Sequence, residues 1–305
     1  QQAADWSHWD ADNALMRSAV QKALKKGLPV PTSPFNALSM PAISADLTHT
    51  IARGKAAEVA ASAGPPLPTP PRSSRQRKRG QRGRLRIGYV SPDFREHPVG
   101  SIMQYLIAGH DTAVVEVFCY AINPITTDDG GSAVRAATAA AAEHFVDINA
   151  MSPSEAAARI AEDGVQVLLN LGGYTQYMRN EIFALQPAPL QALFLGYAAT
   201  MGADFIQYII ADPAAVPPGL EGLYTEKIAD LNASLLPLSH AHRLDMPWRS
   251  VGPHSEPTTV AAERRAVGLP SDGVVLCCFN SLYKVDPVTF QTWANILARV
   301  PSAVL

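Results

Sequence analysis

The chain has 305 residues, 47% hydrophobic and 17% charged, and its 25 Lys+Arg against 27 Asp+Glu leave a formal charge of −2. That length suits about two ordinary domains, the apolar share excludes wholesale disorder, and the near-neutral charge calls for no polyanionic partner. Three cysteines, two of them adjacent (Cys277, Cys278), make neither a disulfide framework nor a metal-ligand spacing, and they suit a reducing compartment.

No window approaches the ~18 uninterrupted apolar residues of a membrane span, and Gln1 to Asp10 carries no secretory core. The expectation is a soluble, cytoplasmic or nuclear protein. The absence of an initial Met and the apolar ending Pro301-Ser-Ala-Val-Leu305 read as a piece of a longer chain.

Residues 1–61 read as a helical and irregular appendage, with helical periodicity through Leu15, Val20 and Leu24 and then a Pro/Ser loop from Pro29 to Pro41. Residues 62–84 read as a linker: Pro-rich to Pro71, then basic through Arg72, Arg75, Arg77, Lys78, Arg79, Arg82 and Arg84. With no aromatics for stacking, the basic run fits a solvated linker better than a nucleic-acid patch.

From residue 85 to 212 strand and helix signals alternate. β-rich runs lie at 85–90, 114–121, 165–171, 190–195 and 205–210, and helix-compatible stretches at 101–108, 133–143 and 154–162, the last opened by Ser152-Pro153. Alternation of this kind predicts βαβ units, a mainly parallel sheet and a Rossmann-like lobe. Residues 213–270 read as an irregular insert. Residues 271–305 read as a buried strand (274–279) and a helix (287–300), the first βα unit of a second lobe.

In such sheets ligands bind beyond the carboxyl ends of the strands. The first strand has no G-x-G-x-x-G behind it, which removes the main support for a dinucleotide. It is followed by Ser91-Pro-Asp93-Phe-Arg-Glu-His97, where a carboxylate four residues from an imidazole suits acid–base work, although an Asp and a His in a loop are more often caps or surface residues. Lys284, on a tight turn after the late strand, is placed to face a phosphate or, as simply, to pair with Asp286. His240 and His242 read as exposed loop residues in preference to metal ligands.

Together these loops resemble the nucleocytoplasmic O-linked N-acetylglucosamine transferases of proteins. The resemblance rests on Leu85-Arg-Ile-Gly-Tyr-Val-Ser-Pro-Asp-Phe94 with His97-Pro98, Phe118-Cys-Tyr-Ala121, Asn170-Leu-Gly-Gly-Tyr-Thr175, Arg179-Asn-Glu-Ile-Phe-Ala-Leu-Gln-Pro-Ala-Pro-Leu-Gln191, Leu195-Gly-Tyr197, Tyr224-Thr-Glu-Lys227 and Cys278-Phe-Asn-Ser-Leu-Tyr-Lys-Val-Asp-Pro287. Asp5-Trp-Ser-His-Trp-Asp10 is similar to the segment joining that family's TPR helical repeats to its catalytic region.

The resemblance implies a GT-B-type α/β glycosyltransferase, with a nearly complete N-terminal Rossmann-like lobe and the start of the nucleotide-binding lobe. It implies inverting transfer of GlcNAc from the donor UDP-GlcNAc to Ser/Thr of intracellular proteins, with no metal or other cofactor. It places Asp93, His97 and Lys284 in the catalytic site: Lys284 neutralising the leaving UDP, His97 contacting the donor, and Asp93 or a donor phosphate oxygen taking the proton. Pro98, Leu195, Gly196, Tyr197, Thr200 and Tyr283 fall at substrate-binding positions. The TPR repeats before Gln1 and most of the second lobe, which the resemblance expects as partners, are not in the sequence, so the chain alone is expected to be inactive.

Departures from the family pattern are Val99, Ser101, Ala198-Ala199, Ser281 and the Phe35-Asn36 position; the loss of the family's Thr, His and Gln among them removes hydrogen-bond partners for the donor. A sister family transfers fucose from GDP-fucose; Tyr174 and the Arg179-Asn-Glu-Ile-Phe183 run favour GlcNAc. The alternative from another class is a non-catalytic truncated paralogue acting as an interaction protein.

Overall fold

The computed structural model describes residues 5–68, 83–123, 132–232, 234–235 and 257–305. Most of the basic run (Arg72 to Arg82), His240 and His242 lie outside them. The chain forms two compact units, Arg17–Ser239 and a smaller one of Gln1–Met16 with His240–Leu305.

The larger unit is built on seven parallel strands in the order β3-β2-β1-β4-β5-β6-β7. These are β1 (Leu85–Ser91), β2 (Val115–Ala121), β3 (His144–Asp147), β4 (Val167–Asn170), β5 (Leu190–Phe194), β6 (Tyr208–Ala211) and β7 (Lys227–Asp230). The α/β, parallel architecture is the one the alternating signals predict. Strand order reverses between β1 and β4, so the crevice of a doubly wound sheet opens at the carboxyl ends of those two strands.

Two apolar clusters cover the sheet. One takes Val99, Met103 and Ile107 from α4 (Pro98–Ala108) with Tyr89, Phe94 and Leu169, and Ala141 at the end of α5 (Ala133–Ala141) packs against it. The other takes Ala156, Ala157 and Ile160 from α6 (Pro153–Glu162) and Ile182 and Phe183 from α7 (Glu181–Ala184), with Val90, Leu168 and Leu193. The Ser152-Pro153 start of α6 is a full capping box: Ser152 accepts from Glu155 N–H while Glu155 accepts from Ser152 N–H.

Ahead of the sheet come α1 (Trp9–Lys25) and the Pro/Ser loop, which contains the single turn α2 (Pro34–Ala37), capped by Ser33. After it comes α3 (Ala45–Ala63), capped by Ser44 and ended at Gly64, where φ is 82°. Buried Thr48, Ile51, Ala52, Ala56 and Val59 repeat at helical spacing, and Ala56 and Val59 belong to the main core, so α3 is an integral layer of the lobe.

Two strands have no counterpart in the sequence reading. Both β3 and β7 are four-residue edge strands whose terminal residues are exposed, so they lack the long apolar run of a central strand. The run at 205–210 yields a strand only from Tyr208, because Phe205 and Ile206 are buried in the loop before it.

In the smaller unit, α8 (Pro257–Ala266) and α9 (Pro287–Arg299) are helical, and Asp286 caps α9 by accepting from Thr289 N–H at 2.6 Å. Trp6 lies against Phe290, with centroids 5.4 Å apart. The expected buried strand at 274–279 reduces to one parallel bridge, Val275 to Val304, and Phe279 is 97% exposed. A parallel strand needs neighbours along both edges and cover on both faces, and this segment has a single pairing residue. No helix among the described residues is long and apolar enough to cross a membrane.

Candidate functional site

The crevice is built from the loops that leave β1, β4 and β5. At the end of β1, Ser91 is fully buried, and its Oγ accepts the Asp93 N–H at 2.9 Å. Arg95 N–H then bonds back to the Asp93 carbonyl at 2.8 Å, turning the chain toward α4. His97 is the N-cap of α4: its backbone is extended, its Nδ1 accepts the Val99 N–H at 3.2 Å, and Pro98 occupies the first turn, where no backbone donor is needed.

This fold brings Asp93 and His97 together, with Nδ1 of His97 3.6 Å from Oδ2 of Asp93. Arg95 Nη2 stands 3.6 Å from the other carboxylate oxygen. Asp93 is 6% exposed, and burial pushes its carboxyl above the ordinary aspartate range, against the opposing pull of His97, when its ring carries a second proton, and then of Arg95. A ring nitrogen that accepts a backbone N–H leaves the imidazole proton on Nε2, so His97 presents a donor from its partly exposed edge.

The loop after β4 is tied by two buried amides. Asn170 Oδ1 accepts from Gly172 N–H at 3.0 Å and Gly173 N–H at 2.7 Å, and its Nδ2 donates to Asn180 Oδ1 at 2.9 Å. Asn180 Nδ2 returns to the Gly173 carbonyl at 2.7 Å.

After β5 the backbone folds into a tight three-residue turn. Leu195 has φ of 70°, and Gly196 N–H bonds to the Phe194 carbonyl at 2.9 Å. Positive φ in a residue with a Cβ is strained and persists only where the surroundings impose it. Gly196 is forced by proximity: a Cβ there would lie 1.8 Å from the Leu171 carbonyl oxygen and 3.2 Å from Val99 Cγ2. The three loops therefore meet at Gly196, Leu171 and Val99.

Tyr197 is 3% exposed, packed edge-on to Tyr174 (centroids 5.8 Å) and beside Phe35 (6.5 Å). Phe35 thus brings the Pro/Ser loop to the crevice. Thr200 is fully engaged within the protein, giving its hydroxyl proton to Glu226 at 2.6 Å and accepting from Gly202 N–H at 3.0 Å and Thr225 N–H at 3.1 Å. Glu226 is 4% exposed, and burial outweighs its hydrogen bonds in raising its carboxyl above the usual range. A cavity of about 190 Å³ borders this segment, lined by Ala198, Ala199 and Thr200 with Leu38, His49 and Tyr224.

In the smaller unit, Tyr283 and Lys284 lie in a 3₁₀ turn (Leu282–Lys284) closed by Lys284 N–H to the Ser281 carbonyl at 3.0 Å. The Lys284 side chain is exposed. Asp286, the partner the spacing offers it, caps α9 through Oδ1.

The structure thus gathers Asp93, His97 and Pro98 with Leu195, Gly196 and Tyr197, and places Thr200 just behind them. Asn180 and Glu226 are the residues that sequence reasoning left without a role. Both stand inside quoted motifs, but a partner 10 or 26 residues away has no signature in a single sequence. Among the described residues no group of three His, Cys, Asp or Glu is arranged to hold a metal.

A sequence model of glycosyl transferase family 41 matches residues 3–246 and 245–305. The chain is 36% identical over 295 residues to the probable UDP-N-acetylglucosamine-peptide N-acetylglucosaminyltransferase SEC of Arabidopsis thaliana, an alignment of 96% of this chain and 29% of that protein. It is 31% identical over 321 residues to the UDP-N-acetylglucosamine-peptide N-acetylglucosaminyltransferase of Caenorhabditis elegans, covering 73% of this chain and 28% of that one. Among solved structures, a mutant O-GlcNAc transferase of Thermobaculum terrenum superposes with a TM-score of 0.67 at 25% identity, over 97% of this chain and 53% of that one. The chain therefore spans under a third of these two relatives and about half of the solved structure.

Proposed function

Because the chain belongs to glycosyl transferase family 41 and has the α/β fold of a GT-B-type O-GlcNAc transferase, we propose that it supplies the N-terminal half of the catalytic site of an inverting enzyme that moves GlcNAc from UDP-GlcNAc to Ser/Thr hydroxyls of intracellular proteins. In that reaction the acceptor oxygen forms a bond to the anomeric carbon as the bond from that carbon to the diphosphate breaks. UDP departs with the electron pair, and the hydroxyl proton needs an acceptor.

The Asp93–His97 pair at the crevice, its carboxylate buried and its imidazole partly exposed, carries the reading. Asp93, destabilised as an anion by burial, is suited to take that proton directly or through a relay. His97, with its proton on Nε2, donates a hydrogen bond to the donor. The fixed backbone of Leu195, Gly196 and Tyr197 shapes the sugar pocket, with Pro98 beside it and Thr200 bracing the loop from behind. Lys284, with Tyr283 next to it, meets the developing negative charge of the diphosphate. The proposal routes no step through a metal, and it places the protein in the cytoplasm or nucleus, where its acceptors are.

The test is transfer of N-acetylhexosamine from UDP-GlcNAc to a Ser/Thr peptide, read by mass spectrometry, for the 305-residue chain and for the same chain followed by a complete second lobe. Product from the longer protein and none from the shorter is expected. No product from either contradicts the proposal.

A further inference from the structure

Glu226 sits immediately before β7, 4% exposed, and both its oxygens accept hydrogen bonds from the segment after β5. Oε2 takes the Thr200 hydroxyl and Oε1 takes the Met201 N–H, each at 2.6 Å. Thr200 Oγ1 already accepts from Gly202 and Thr225 N–H, so its lone pairs are filled and its one proton has a single place to go. Turning any of these groups away leaves a buried donor or acceptor unpaired.

Tyr174, from the loop after β4, and helix α3 close the same knot from outside. Tyr174 OH donates to the Met201 carbonyl at 2.7 Å, and His49 Nε2 lies 3.0 Å from Thr225 Oγ1. Gly202, with φ of 61°, is so close to α3 that a Cβ would stand 2.4 Å from Arg53 N. A buried carboxylate carries a desolvation penalty that an apolar residue of its size avoids, so its presence calls for a task beyond filling space. The anchored residues are four to six positions from Gly196 in the same loop, and no carboxylate other than Glu226 bonds to Thr200 or Met201 among the described residues.

We propose that Glu226 is a positioning residue of the transfer reaction: by accepting from Thr200 and Met201 it fixes the 196–202 loop, and so holds the Leu195–Tyr197 backbone in the shape that receives the donor sugar. This rests on the reading of that loop as the sugar-facing one. Only a double acceptor fits. Glu226→Gln keeps one oxygen for Met201 but turns an N–H₂ toward a hydroxyl whose oxygen already accepts twice, so the isosteric amide is expected to fail as a replacement.

Two measurements decide it. In the 305-residue chain, amide hydrogen exchange of Glu226→Gln is expected to be about tenfold or more faster at Met201, Gly202 and Thr225, with β1 and β4 unchanged. Unchanged exchange at those three amides, or an equal loss of protection across the sheet, overturns the proposal. In the protein with a complete second lobe, Glu226→Gln is expected to lower kcat about tenfold with KM for UDP-GlcNAc within about threefold, and Thr200→Val added to it is expected to cost little more. Wild-type kcat in Glu226→Gln, or a change confined to KM, overturns it. Absence of transfer by the wild type counts against the transferase reading instead, and the exchange experiment then decides the anchoring by itself.

Discussion

Nδ1 of His97 stands 3.6 Å from Oδ2 of Asp93 while accepting the Val99 N–H at 3.2 Å. One nitrogen therefore faces two demands. As the cap of α4 it must be unprotonated, which leaves the ring proton on Nε2. Were the ring to gain a second proton, Nδ1–H would turn to Asp93, and the first turn of α4 would lose its cap. The spacing Asp-x-x-x-His-Pro thus sets the direction in which the imidazole can donate, and couples it to a carboxylate that burial already disfavours as an anion.

Asp93→Asn is expected to stabilise the fold at neutral pH while abolishing transfer. Burial raises the Asp93 carboxyl in the folded state, so the folded protein binds that proton more tightly than the unfolded chain does. The stability this group contributes is whole below the ordinary aspartate value of about 4 and is lost as pH rises through its displaced folded value. The Asn variant has no such dependence. The difference in Tm, variant minus wild type, should therefore grow as pH rises from about 4 and then level off. A wild type that gains on the variant with rising pH contradicts the assignment.

Gly196→Ala is expected to cost about 2–4 kcal/mol in chemical denaturation. The new Cβ would meet a backbone oxygen, Leu171 O, at 1.8 Å, and neither side of that contact is a flexible side-chain end. Gly54 in α3 is the control: its added Cβ meets nothing within 4 Å, and Gly54→Ala should stabilise by about 0.5–1 kcal/mol through helix propensity. Equal midpoints for the two variants would remove the close approach from the account of the site.

Asn170→Ala leaves the Gly172 and Gly173 N–H groups without their acceptor and Asn180 Oδ1 without its donor. A loss of at least about 2 kcal/mol is expected, since each buried group left unpaired costs about 1–3 kcal/mol. Measured by urea denaturation, a loss below about 0.5 kcal/mol would mean that water replaces the amide and that the β4 loop is not held this way.

Much of this site was readable in the sequence because its parts are local. The strands β1 and β2 are short β-rich runs, the helix start at Ser152-Pro153 is a short-range signal, and the Asp93 and His97 loop directly follows a strand. Edge strands β3 and β7 escaped because four half-exposed residues carry no period. The run 274–279 misled for the opposite reason: Val274-Val-Leu-Cys-Cys-Phe279 has the composition of a buried strand, but burial depends on what lies alongside, and here that is Val304 alone. The roles of Asn180 and Glu226 are pairwise. They depend on Asn170 and Thr200 standing opposite them, which the fold decides and spacing does not.

Lys284→Ala, in the protein with a complete second lobe, is expected to lower kcat about 10²- to 10³-fold, the scale of removing one fixed group that stabilises transition-state charge. Lys284 is exposed in the 305-residue chain, so in that chain Lys284→Ala should change the unfolding free energy by no more than about 0.5 kcal/mol. Unchanged kcat takes Lys284 out of the mechanism.

The central claim is that the crevice between β1, β4 and β5 is one half of a GlcNAc-transfer site organised by His97 and Asp93. The measurement that tests it most directly is the initial rate of peptide glycosylation by the protein with a complete second lobe, wild type against His97→Ala, with UDP-GlcNAc and GDP-fucose offered separately. Transfer from UDP-GlcNAc alone, reduced about 10²-fold or more in His97→Ala, is the predicted result. Transfer from GDP-fucose in its place, or equal rates for the two proteins, would contradict it.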